Sequence, residues 1–292
     1  MMRWRPAHRA HAIERVSMSL FFAEPIASKP WTKLLNSASA DLQRQGFNAA
    51  IDEHEMIQAA GNSPVRQQPF GLQVNLGMVG SSANFPVSGR NFQVVTGTQI
   101  REEVHIHRNR FSYIAMNYER WTNFRARSFS LIGSYITTAL QAVNIQGAQL
   151  EYWDRFVFEG PLNEVAYDEL IRRGSSHVPS FPFDTDQLWH SHAGYFKPRS
   201  DGVRRLVNVN VDAIDVLETR PDAPPAEAPL LKRSLGFYSM AQDTLPPEPA
   251  ITETPGALST LDDLHATLKE VFADVITSEA ADRISLLSKD PS

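Results

Sequence analysis

The sequence predicts an α+β protein built on one long antiparallel sheet with helices packed on one face. Three observations predict it. Several segments alternate apolar and polar residues with period two, which marks strands with one buried and one wet face rather than the continuous apolar strands of a doubly wound parallel sheet. Longer segments repeat apolar residues at helical spacing. The order strand, helix, several strands, helix then occurs twice, over residues 11–143 and 149–287, so a duplicated β-α-β(n)-α unit is expected, although identity between the halves is not evident.

Residues 1–10 are basic and lack an apolar run, so they read as a frayed N-terminal extension rather than a secretory signal. The first half, 11–146, opens on a strand in which Val16, Met18, Leu20 and Phe22 share one parity. Trp31, Leu34, Leu35, Ala38 and Leu42 form a helical stripe behind Pro30, and Gly46 ends it. Phe70, Leu72, Val74 and Leu76 alternate again before a Gly/Ser-rich loop at 77–90. Further strands are expected at 47–58, 92–96, 102–107 and 111–118. A helix at 121–143 carries Phe124, Phe129, Ile132, Ile136 and Leu140.

The second half, 147–287, begins with a strand at 149–158 and a short helix from Glu164 to Arg173 that Gly174 stops. Strands follow at 187–196, around Val207, Val209 and Val211, and at 230–240. Leu261, Leu264, Leu268, Val271, Phe272 and Val275 make the clearest helical stripe, with Thr260 as its N-cap and Thr277 capping a short restart. Segments 219–229 and 242–256 are rich in Pro and acid; eight of the 19 prolines fall between Pro221 and Pro255, which predicts extended loops inside this half.

Composition excludes several classes. The chain has no cysteine, so disulfides, thiolate metal sites and cysteine nucleophiles are ruled out, in agreement with a reducing cytoplasm. No run approaches the roughly 18 apolar residues of a membrane span. The net charge of −5 is divided unevenly. Residues 1–146 hold 15 Lys and Arg against 9 Asp and Glu, whereas residues 147–292 hold 13 against 24. A basic half and an acidic half suit an anionic partner, or the docking of one copy on another.

Particular motifs carry a resemblance. Leu235-Gly236-Phe237-Tyr238 is followed by a helix with Leu264, His265, Leu268, Lys269, Phe272, Ile276 and Thr277 at fixed places. Tyr152-Trp153-Asp154-Arg155, Phe111-Ser112-Tyr113, Tyr118-Glu119-Arg120-Trp121 and Phe124-Arg125 complete the pattern. Together they resemble a sporadically distributed bacterial family of uncharacterised proteins. That resemblance implies no established activity and no cofactor. The family's patchy distribution implies a mobile-element or defence context. The chain departs from the family at Asp154, where Asn is commoner.

Three constellations bear chemistry. His105 and His107 flank Ile106, and His190 and His192 flank Ser191, each pair on a strand, so each can present two imidazoles on one face to a metal ion. If the pairs converge they make a four-nitrogen site. Glu103 shares the parity of His105 and His107, but no Glu follows the pair closely: Arg108, Asn109, Arg110 and Phe111 come next. Asp154 has the parity of Leu150, Tyr152, Phe156 and Phe158 and is expected to be buried, hence paired or protonated, as a general-base candidate or a hydrogen-bond hub. Between Arg101 and Arg127, the arginines, Arg108, Arg110, Arg120 and Arg125 foremost, interleave with Tyr113, Tyr118 and Trp121 as in surfaces that track a nucleic-acid backbone. No phosphate loop, nucleophile elbow or helical His-Glu-x-x-His is present. The leading expectation is therefore a non-enzymatic cytoplasmic protein that binds a protein partner or itself. The alternatives are nucleic-acid binding through residues 101–127 and a His-x-His metal-dependent enzyme.

Overall fold

The alternating segments pair into one ten-stranded, wholly antiparallel sheet. A computed structural model of the chain describes residues 2–8, 10–54, 87–197, 199, 201–218, 229–246, 251 and 253–287. In chain order the elements are β1 (Trp4–Pro6), β2 (Ile13–Phe22), α1 (Ser28–Arg44), β3 (Ala49–His54), β4 (Val87–Thr96), β5 (Gln99–His107), β6 (Arg110–Ala115), α2 (Trp121–Ala139), β7 (Ile145–Phe158), β8 (Trp189–Lys197), β9 (Arg204–Glu218), β10 (Leu230–Thr244), α3 (Thr254–Val275) and α4 (Ser278–Arg283). Across the sheet the order is β3-β4-β5-β6-β2-β7-β10-β9-β8, with β1 pairing with β7 beyond the end of β2. None of the described helices is long and apolar enough to cross a membrane.

Cross-strand partners share a face, so the register shows what each side of the sheet carries. One row runs Phe92, Val104, Tyr113, Met18, Leu150, Ala241, Val207, all buried. The row one residue along runs Asn91, His105, Ser112, Ser19, Gln149, Gln242 and is polar throughout. The helices cover the apolar side. Arg90 Nη1 on β4 donates to Ser39 Oγ of α1 at 3.0 Å, and Tyr152 OH of β7 lies 2.9 Å from His265 Nδ1 of α3. At the second half, the buried Arg205 of β9 grips both carboxylate oxygens of Asp243 on β10, at 2.7 and 2.6 Å, and donates to Thr267 Oγ1 of α3 at 2.6 Å. With its donors paired in this way, the buried charge is tolerated.

Two apolar clusters lie under the helices. The larger joins α1, α2 and the first part of α3 to β2, β5, β6 and the start of β7. The smaller joins the end of α3, α4, β1 and residues 165–189 to β9, β10 and the end of β7.

Several expectations are corrected. The N-terminal residues are not frayed: Trp4 is 0 % exposed, its indole donates to Ala166 O at 2.9 Å, and its ring packs on Phe158 and Tyr167. The helix expected from Glu164 to Arg173 is instead two 3-10 turns, Leu162–Glu164 and Tyr167–Glu169. The chain leaves helical geometry there because Ile171 forms an isolated antiparallel bridge with Ile276, and Thr277 N donates to Leu170 O. α3 starts at Thr254 with Pro255 in its first turn, not after Thr260, whose hydroxyl bonds back to Gly256 O inside the helix. Phe129, expected in the core stripe, is 49 % exposed. Thr277 does cap α4, accepting from Ala280 N. The strand expected around Phe70–Leu76, most of the 77–90 loop and most of the 219–229 loop lie outside the described residues.

Trp4→Ala is expected to lower the unfolding free energy by about 3–5 kcal/mol, the usual result of removing a fully buried Trp. Denaturant titration checks this, and a frayed N-terminus would leave the midpoint unchanged.

Candidate metal centre

The β4–β5 hairpin sets the geometry of the left-hand side of the open face. It turns through Gly97 at φ +62° and fixes Asn91 opposite His105 and Gly89 opposite His107. β3 lies along the outer edge of β4 with Glu53 opposite Gly89. Glu53, Gly89 and His107 thus form a row across three strands whose middle member has no side chain. The His107 ring occupies that gap: a Cβ on residue 89 would lie 2.4 Å from His107 Nδ1. Only glycine lets the imidazole lean across to the carboxylate.

The result is a cluster of three ligating groups. His107 Nε2 lies 3.2 Å from Glu53 Oε2, and His105 Nδ1 lies 3.3 Å from Glu53 Oε1. The two rings are nearly parallel, 7° apart with centroids separated by 6.2 Å. One donor atom from each of Glu53, His105 and His107 falls within 4.8 Å of the others. The Nε2 atoms of both histidines are buried without a hydrogen-bond partner among the described residues. The Glu53 side chain, 36 % exposed, leaves the cluster open to solvent. Two imidazoles and one carboxylate with an open side are the ligand set of catalytic zinc sites and of non-haem iron sites.

Glu103 supports this group from one side. Asn91 Nδ2 and Gln93 Nε2 donate to it at 3.1 and 2.8 Å, and its Oε2 lies 4.0 Å from His105 Nε2. His105, Asn91 and Gln93 together outweigh its burial and hold its pKa at about 2. Burial opposes a charge on His105, but Glu103 and Glu53 overcome it and raise the ring's pKa. His107 is pushed the other way by burial, with Glu53 opposing and Arg110 and His105 adding to the fall. Glu53 is lowered, mainly by His105 against burial, with His107 and Arg110 contributing.

The two His-x-His pairs do not converge. His190 and His192 lie on β8, six strands from β5, so at about 4.8 Å per strand the pairs are roughly 29 Å apart. They share the open face. His190 stands opposite Asp212 and His192 opposite Asn210. Both histidines are exposed, whereas Asp212 is 9 % exposed and its Oδ2 has no partner among the described residues. Burial raises the Asp212 pKa, against the pull of His192 and His190.

The four arginines singled out from the sequence are divided. Arg108 and Arg110 flank the β5–β6 turn, and Arg108 Nε donates to Ile26 O. Arg120 and Arg125 lie at the opposite end of β6, where α2 begins, and Arg125 pairs with Asp262 of α3 at 2.8 Å. Arg127 is likewise paired, with Glu102 at 2.9 Å.

Asp154 lies on the helix side of β7, 6 % exposed, between Ile13 and Phe237 on the neighbouring strands. No donor among the described residues reaches its oxygens. Burial, and then the like charge of Glu14, raise its pKa from 3.8 to about 8. Of the two states expected for it, burial favours the protonated one.

Glu53 was missed by sequence reasoning. Its strand was expected, but nothing local pairs that strand with the one preceding the histidines. The available signal is the run Asp52-Glu53-His54, polar residues in a strand whose partner supplies Gly89. Comparison with family models and with curated proteins returns no match for this chain.

Between pH 4 and pH 8 the folded chain keeps a proton on Asp154 that the unfolded chain has lost. Stability therefore falls as pH rises through that window. Asp154→Asn removes this dependence, so its stability relative to the parent is expected to increase from pH 5 to pH 8, by on the order of a few kcal/mol. Parallel denaturant titrations at the two pH values measure it, and a difference that does not change with pH contradicts it.

Proposed function

We propose that this chain is a metalloprotein whose divalent transition ion is held by Glu53, His105 and His107 on the open face of the sheet. The observation that carries the reading is the convergence of His105 Nδ1 and His107 Nε2 on the two oxygens of one shared carboxylate, with ligand atoms of all three residues within 4.8 Å of one another. Neutral imidazole and carboxylate prefer zinc or iron(II) over calcium or magnesium. Three protein ligands leave a coordination position for water or a substrate atom, the condition of a catalytic rather than a structural centre. Glu103 completes the design as a carboxylate 4.0 Å from His105 Nε2, on the side away from the ion that Nδ1 faces, the place of the outer-sphere carboxylates common beside metal-bound histidines.

We infer in addition that the two halves descend from one β-α-β(n)-α unit. Support comes from the strand order. Outward from the central antiparallel β2–β7 pair, β6, β5 and β4 follow on one side and β10, β9 and β8 on the other, as a two-fold axis through that pair requires. Superposition of the first set on the second tests it, and a mismatch in strand direction or helix placement overturns it.

Untagged protein titrated with zinc by calorimetry, with bound metal counted by elemental analysis, tests the metal reading. His105→Ala combined with His107→Ala is expected to remove one ion per chain while the circular dichroism spectrum is retained. Glu103→Gln is expected to weaken that ion by about 10–100-fold. Gly89→Ala displaces the His107 ring without altering a ligand and is expected to weaken binding as His107→Ala does. Variants that bind zinc like the parent refute the centre.

A further inference from the structure

We propose a second, independent transition-metal site at the other end of the same face, formed by Asp212 of β9 with His190 and His192 of β8. Its observations are separate from those of the first centre. Asp212 is a carboxylate more than nine-tenths buried with an oxygen that no described group satisfies. A carboxylate in that condition must take a proton or a cation, since an unpaired buried charge costs several kcal/mol. The register supplies the means to hold a cation. His190 is the direct cross-strand neighbour of Asp212, and His192 stands one pair along on the same face, opposite Asn210. The rings are 5.5 Å apart between centroids, at 84° to one another.

Both imidazoles are exposed on β8, the last described strand on that side of the sheet. Their nitrogens are not drawn together as those of the first cluster are, so the ion itself assembles this site and binding is the weaker of the two. An ion drawn to Asp212 gains two nitrogen donors by rotamer changes alone. The donor set, one carboxylate and two imidazoles without thiolate, takes zinc, copper(II) or nickel(II) ahead of magnesium or calcium. β5, bearing the first histidine pair, and β9, bearing Asp212, are each two strands out from the central β2–β7 pair. The open face thus has a metal-binding group on each wing.

The experiment uses untagged full-length chain and zinc as the probe. In the His105→Ala, His107→Ala background, one zinc per chain is expected to remain, weaker than the ion that was lost. Adding His190→Ala and His192→Ala removes that ion, and Asp212→Asn weakens it. In the otherwise unaltered chain, zinc is expected to protect His190 and His192 from diethyl pyrocarbonate, read by peptide mass spectrometry. The proposal is overturned if the first double variant binds no zinc, or if its remaining zinc is insensitive to His190, His192 and Asp212. A parent chain that binds a single ion dependent on His190 and His192 but not on His105 and His107 refutes the first centre and leaves this one standing.

Discussion

Everything in this molecule depends on the sheet being covered on one side only. All three long helices lie against the face that carries Met18, Leu150, Ala241 and Val207. The alternation of a strand then fixes what the other face is: each residue next to a core position points away from the helices, onto a mostly polar surface with an aromatic contact between Trp153 and Tyr238. Asn91, His105, Ser112, Ser19 and Gln149 follow from that constraint, and so do both histidine pairs. The candidate ligand groups lie on the open side because the covered side is occupied by packing.

The covered side has its own polar exceptions, and they are resolved by two different physical routes. The Arg205 guanidinium fork meets both carboxylate oxygens of Asp243 and donates a further hydrogen bond to Thr267 Oγ1, so each polar group has a partner. Asp154 is buried between Ile13 and Phe237, and burial together with the like charge of Glu14 favours its neutral form.

Much of this was legible in the sequence. Parity alone located Val104 and Ile106 inside and His105 and His107 outside, and it buried Asp154. The stripes of α1 and α3 are the buried residues of those helices, Trp31 to Leu42 and Leu261 to Val275. What local patterns do not contain is pairing. The neighbourhood of Glu53 and His107 exists because β3 pairs with β4 and β4 with β5, and because Gly89 leaves room between them. The same limit hid Trp4, an isolated aromatic whose burial rests on pairing with Phe158, more than 150 positions away. The short helix after Glu164 failed for the same reason, since Leu170 and Arg172 bond to the end of α3 and leave only short turns among their neighbours.

The first cluster also draws its carboxylate from β3, the last of the described strands on that wing. A strand at the border of a sheet is the easiest part of it to peel away. Any ion shared between Glu53 and the histidines of β5 spans the intervening β4 and fastens the rim to the interior. Occupancy and rim attachment are then thermodynamically linked: peeling releases the ion, and the ion resists peeling. An ion bound by these three residues would therefore serve as a rivet for the β3 border of the sheet as well as a centre for chemistry.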